Sequence, residues 1–247
     1  MNIYIASDIH LECLEDDYNI ENFIKKYDKE NSILVLCGDI CSLYLYDKLY
    51  GFLEKVCGMF KHVIYVPGNN EFYKIKDIKP KTYTELCKQL DSYSNSLTNL
   101  HILNKSCIQI GEYLFTGCIL WTKLEVELPK YFRIYGFSTE IYNRKNKQDV
   151  SFIKECIDHA NTNNLKHIII THYPPSKECL DKINGDKYES LYYNQLDDLF
   201  NNRLVWVYGH THYNVDKNIG NTRLVSNQYG KKNNIAHDFS NNFFINI

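Results

Sequence analysis

An aspartate and a histidine one residue apart, Asp8 and His10, close the apolar run Ile3-Tyr4-Ile5-Ala6. On an extended segment, side chains two apart leave the same face, so a carboxylate and an imidazole converge on one point, the geometry of a metal site. Similar chemistry returns in Gly38-Asp39, Gly68-Asn69-Asn70-Glu71, Thr171-His172 and Gly209-His210-Thr211-His212. Each block follows an apolar run, and the first three come at nearly equal steps along the chain. A glycine before a ligand lets the backbone turn sharply and approach an ion closely.

The elements that must position these residues read as β-α-β-α-β. Apolar runs at 3–6, 33–37 and 62–66 are strands, and helical spacing joins Ile20, Phe23, Ile24 and Tyr27, then Tyr46, Leu49, Leu53, Val56 and Phe60. Such a run predicts a parallel sheet with right-handed crossovers and a site at the carboxyl ends of its strands. Residues 84–93 read as a helix, and 101–103, 106–110 and 113–119 as short strands of antiparallel hairpins in a second sheet. Residues 121–147, rich in Tyr, Phe and Lys, show little periodicity and read as loop or short helices over the site. Helical spacing returns at Phe152, Cys156, Ile157 and Ala160, followed by a strand at 167–170, a helix at 191–200 and a strand at 204–208. The segments 213–219, 222–226 and 243–247 read as further strands of the second sheet.

With 247 residues and no low-complexity tract, one domain over 1–247 is expected, with 120–148 as a substrate-covering region. No apolar run approaches the ~20 residues of a membrane span, and Met1-Asn2-Ile3 lacks the start of a signal peptide, so the expectation is a cytoplasmic protein without membrane contact. The nine cysteines are scattered and read as reduced thiols. A net charge of −2 argues against stable binding of duplex nucleic acid. The sequence specifies no oligomeric state.

Together the five blocks resemble those of the calcineurin-like metallophosphoesterases, in their family order and over nearly the whole chain. Gly117-Cys118-Ile119-Leu120-Trp121-Thr122, Phe132-Arg133-Ile134 and the two prolines after Tyr173 are similar to a small single-domain subgroup. The resemblance implies an α/β fold, a four-layer α-β-β-α sandwich of two mixed sheets face to face with helices outside. It also implies two divalent ions, with Asp8, His10 and His212 on one, Asn69, His172 and His210 on the other, and Asp39 bridging. Carboxylate, amide oxygen and imidazole suit Mn²⁺ foremost, with Fe or Zn²⁺ as alternatives, and no thiolate marks a structural zinc. The activity implied is hydrolysis of a phosphomonoester or phosphodiester through a bridging hydroxide.

One residue departs from the pattern. Where the family usually carries a histidine that protonates the leaving oxygen, this chain has Asn70, and an amide delivers no proton. An engineered inactivating change, a natural variant suited to good leaving groups or another acid, and a metal-binding pseudoenzyme are the readings this leaves. A small phosphoester or nucleotide is the expected partner, with Arg133 on a phosphate and Trp121, Tyr131 and Tyr173 lining the pocket, or with Trp121 and Tyr131 packing the covering loop instead. The alternative is a ligand-binding protein with little turnover.

Overall fold

The computed structural model describes residues 1–25, 31–180, 188–201, 204–231 and 234–246. Its first sheet has the order β13-β1-β2-β3-β4, from β1 (Asn2–Ala6), β2 (Ser32–Cys37), β3 (His62–Val66), β4 (Leu100–Ile102) and β13 (Phe244–Asn246). β1 to β4 run parallel, and β13 pairs antiparallel with β1. The second sheet has the order β5-β6-β7-β8-β10-β9, from β5 (Ser106–Ile110), β6 (Tyr113–Cys118), β7 (Lys166–Thr171), β8 (Leu204–Val207), β9 (Asp216–Ile219) and β10 (Thr222–Val225). The hairpins β5/β6 and β9/β10 are antiparallel and the inner pairs parallel. A small ladder joins β11 (Gly230–Lys231) to β12 (Asn234–Ile235).

Strand periodicity sorts the core into layers. Ile3, Ile5, Ile33, Val35, Ile64 and Val66 of the first sheet pack against Phe115, Ile168, Ile170, Val207 and Val225 of the second. Their alternating neighbours Tyr4, Leu34, Leu36, Val63 and Tyr65 face outward beneath α1 (Tyr46–Met59) and α2 (Tyr83–Ser96). Ile169, Trp206 and Leu224 do the same beneath α3 (Thr139–Thr162). The result is the expected α-β-β-α sandwich. Among the described residues, no helix is long and apolar enough to cross a membrane.

Several elements differ from expectation, each for a local reason. The helix expected from Ile20 is a 3-10 turn, Ile20–Asn22, capped by Asn19, and the Lys25 amide donates to Asn241 O instead of continuing a helix. Tyr27 and Ile247 lie outside the described residues. β4 extends the first sheet rather than the second, and β13 joins the first sheet as well. The helix expected at 191–200 is absent: the Asn194 and Leu196 amides donate to the carbonyls of Pro174 and Pro175, leaving 3-10 turns at Glu189–Leu191 and Asp197–Leu199. α3 begins at Thr139, capped by Ser138, so the covering loop ends sooner than expected. Its buried stripe includes Asn146 and Asp149, which interrupt the apolar period.

His167 on β7 is 4 % exposed, with Nε2 2.8 Å from Thr116 Oγ1. Burial, aided by the charge of His159, pushes its imidazole down to about 4. The unfolded chain, titrating near 6.5, therefore takes up a proton first as pH falls. Stability present above about 6.5 should be lost between there and about 4, by roughly 3 kcal/mol at 1.36 kcal/mol per unit. Unfolding free energies across this range, for the native chain and His167→Gln, should show a shallower acid slope in the variant. Parallel slopes would reject the assignment.

Candidate metal centre

All five blocks lie where a parallel strand ends, after β1, β2, β3, β7 and β8. Backbone bonds tie the strand ends together: Asp8 N to Gly38 O at 3.0 Å, His10 N to Asp39 O at 3.0 Å and Gly209 N to His172 O at 3.0 Å. Asp8, His10, Asp39, His210 and His212 all have positive φ, between 52° and 75°. Aspartate and histidine tolerate this left-handed region better than most residues, at a cost. The glycines answer a need for space. A Cβ on Gly38 would lie 2.6 Å from His172 Nδ1, and one on Gly209 2.7 Å from Asp8 Oδ2.

Two ligand groups result. His212 Nε2 stands 3.4 Å from Asp8 Oδ1 and 3.3 Å from His10 Nε2. His172 Nε2 stands 3.0 Å from Asn69 Oδ1, 3.3 Å from His210 Nδ1 and 3.3 Å from Asp39 Oδ1. Asp39 also reaches the first group, its Oδ2 3.9 Å from His10 Nε2. Asp8, His10 and His212, and separately Asp39, His172 and His210, thus present ligand atoms close enough to share an ion. The far nitrogens of two imidazoles have partners of their own: His10 Nδ1 lies 3.0 Å from Glu12 Oε1, and His172 Nδ1 donates to Cys37 O at 2.9 Å. Such outer contacts fix a ring's orientation and turn its other nitrogen inward.

The electrostatics favour a cation. Burial would raise the Asp39 carboxyl, but the His172 and His10 imidazoles and the Asn70 amide hold it well below the usual carboxylate range. Burial would likewise discharge His10 and His172, yet Glu12 and Asp39 raise the first and Asp39 the second, each to about 9. His210 goes the other way, to about 3, through burial and the neighbouring His172. Its Nε2 is buried without a hydrogen-bond partner. A pocket that draws protons onto two imidazoles at neutral pH gives the same compensation to a divalent ion, so the residues fit a metal pair.

Sequence reasoning gave no role to several residues that build the centre. Ser7 Oγ donates to Asp8 Oδ2 at 2.6 Å, and the Gln228 side chain accepts from His212 N at 2.7 Å while donating to Thr211 Oγ1. Glu71, fully buried, accepts from the amides of Gly68, Asp39 and Ile40 and from the Tyr65 hydroxyl at 2.7–2.9 Å. Only its place beside Asn69 and Asn70 hinted at this. All four partners donate, so Glu71→Gln sets an amide N–H against a donor and should cost about 2–3 kcal/mol. A denaturant midpoint that stays put would contradict this.

The remaining expected site residues spread over two depths. Asn70 lies against Asp39, its backbone N–H donating to Oδ1 at 2.8 Å and its side-chain Nδ2 to Oδ2. Arg133 is exposed in a cleft of about 330 Å³ beside the centre, lined also by His10, Asn70 and Tyr73. Tyr173 is buried, with its ring centroid 4.1 Å from that of His210. Trp121 is 1 % exposed and packed among Phe132, Phe137, Tyr142 and Tyr173, a layer beneath the centre rather than at its mouth.

Comparison with known proteins places the chain in a family. A family model described as calcineurin-like phosphoesterase matches residues 1–214. Uncharacterized protein L509 of Acanthamoeba polyphaga mimivirus is 26% identical over 254 residues, spanning 91% of this chain and 89% of its own length. The crystal structure of phosphopantetheinyl hydrolase from Mycobacterium tuberculosis superposes with a TM-score of 0.74 at 14% identity, over 94% of this chain and 90% of that one. That of TT1561 from Thermus thermophilus gives 0.52 at 14% identity, over 93% and 89%. At these identities the structural likenesses speak for the fold alone.

Proposed function

This chain belongs to the calcineurin-like phosphoesterases, and from that premise we propose that it is a two-metal hydrolase of small phosphomonoesters or phosphodiesters. The observation that carries the reading is the pair of adjoining ligand groups with the Asp39 carboxylate between them. Asp8, His10 and His212 would hold one divalent ion, and Asn69, His172 and His210 the other, with Mn²⁺ the best match to this donor set. Bound there, the ions would supply Lewis acidity, lowering the pKa of water and offsetting phosphoryl charge.

The chain's own groups do the rest. Glu12 and the Cys37 carbonyl orient His10 and His172, and Gln228 holds the His212 backbone. Arg133 offers a planar cation to a phosphate. Asn70 donates hydrogen bonds but no proton, so the leaving alkoxide departs unassisted or takes its proton from water, and esters of acidic alcohols are favoured. A second reading, a metal-bound protein that binds its ligand with little turnover, is favoured by that same residue, whose backbone N–H and side-chain Nδ2 are both engaged with Asp39.

Titrating the metal-free chain with Mn²⁺ by calorimetry should give two ions per chain, and the loaded chain should hydrolyse bis-p-nitrophenyl phosphate or p-nitrophenyl phosphate. Failure to bind two ions would overturn the proposal. Two ions without hydrolysis would favour the second reading.

A further inference from the structure

The cleft beside the metal centre carries more positive charge than one phosphoryl group requires. Four cations line it, Lys74, Lys76, Arg133 and Lys231, in a chain whose net charge is −2. The single carboxylate there, Glu12, has Oε1 engaged with His10. Among the described residues the lysine and arginine ion pairs lie elsewhere, and none of these four has a carboxylate partner.

The cations come from three parts of the chain that backbone pairing holds in place. Lys74 N donates to Arg133 O at 2.9 Å, an antiparallel bridge joins Tyr73 to Ile134, and the Arg133 guanidinium lies 5.9 Å from the centre of the Tyr73 ring. That pairing follows directly on the turn bearing Asn69 and Asn70, since Tyr73 N donates to Asn70 O at 3.2 Å. Lys231 belongs to β11, and its segment is tied to the end of β1 through Tyr229 N and Ser7 O at 2.9 Å. Like charges gathered from separate elements without partners repel one another and lower stability, so their concentration beside the reaction centre calls for an anion.

We propose that this cleft is an anion subsite, and that it selects phosphoesters bearing a second phosphate next to the one hydrolysed. The inference rests on the phosphoesterase reading for its scissile group and on the cleft alone for the second. With one phosphate at the metal pair, the other lies among Lys74, Lys76, Arg133 and Lys231, where charge-assisted hydrogen bonds replace its water. A long nucleic acid is disfavoured, because the net charge is −2 and this cluster of cations lines one small cleft.

Inorganic pyrophosphate and inorganic phosphate are the probes, titrated by calorimetry into the chain after chelator treatment and again after loading with Mn²⁺. Pyrophosphate should bind about tenfold more tightly than phosphate in both states, and this preference should shrink as salt is raised. In Lys74→Ala/Lys76→Ala/Arg133→Ala it should disappear while Mn²⁺ content stays at that of the native chain. Lys231→Ala, on the other wall, should weaken pyrophosphate severalfold and serves as the readout if the triple variant fails to fold. Equal affinity for the two anions, or a preference that survives these substitutions, would overturn the subsite. Loss of Mn²⁺ uptake in the native chain would overturn the phosphoesterase reading instead and leave the metal-free titration to judge the cleft.

Discussion

Replacing Asn70 with histidine should raise turnover of phenyl phosphate by the Mn²⁺-loaded chain by about 10²–10⁴, the usual contribution of a general acid. The gain should be smaller with p-nitrophenyl phosphate, whose leaving phenolate needs little protonation. Metal content should not change, because Asn70 contacts Asp39 through its N–H groups and belongs to neither ligand group. The comparison of two leaving groups separates proton delivery from improved binding, which would raise both rates alike. Equal rates for the native chain and the variant on phenyl phosphate would remove proton donation from the account and direct attention to another acid.

Asp39→Asn should have the largest effect of any single change at the centre. Asp39 is 2 % exposed, lies 3.3 Å from His172 Nε2 and 3.9 Å from His10 Nε2, and accepts two bonds from Asn70. Neutralising it removes the carboxylate charge that lies beside both His10 and His172 and a principal force that keeps both imidazoles charged or, on the proposed function, would hold a cation in place. The variant should keep at most one of two Mn²⁺ ions and lose about 10³ in turnover, since metal charge stabilisation is worth several kcal/mol at 1.36 kcal/mol per tenfold. Elemental analysis alongside steady-state kinetics checks both. Two ions held at native affinity would refute the bridging role.

The strands and the blocks that end them were legible because buried parallel strands are short apolar runs and their turns carry the polar residues. The helices were legible only where an uninterrupted apolar stripe marked them. α3 hides its first half because Asn146 and Asp149 occupy its buried face, Asn146 donating to Trp121 O and Asp149 accepting from Trp121 N. The opposite error, helices expected from Ile20 and over 191–200, arose where tertiary partners at Asn241, Pro174 and Pro175 take the backbone bonds. The expectation that 243–247 joins the second sheet failed because the partner of β13, β1, lies at the far end of the chain. Glu71, Gln228 and the cleft lysines were invisible for a related reason: their roles exist only once distant segments meet.

The left-handed backbone of the candidate ligand residues sets a conflict between durability and chemistry. Each of Asp8, His10, Asp39, His210 and His212 gives up roughly 1 kcal/mol to hold its conformation, and five such residues consume an amount comparable to the lower end of a whole domain's stability. Drift toward glycine at any of them would relieve backbone strain while removing a ligand, so selection for robustness alone would erode this centre from within. On the proposed function, a lineage that ceased to bind metal should lose these residues early, and to small or flexible replacements.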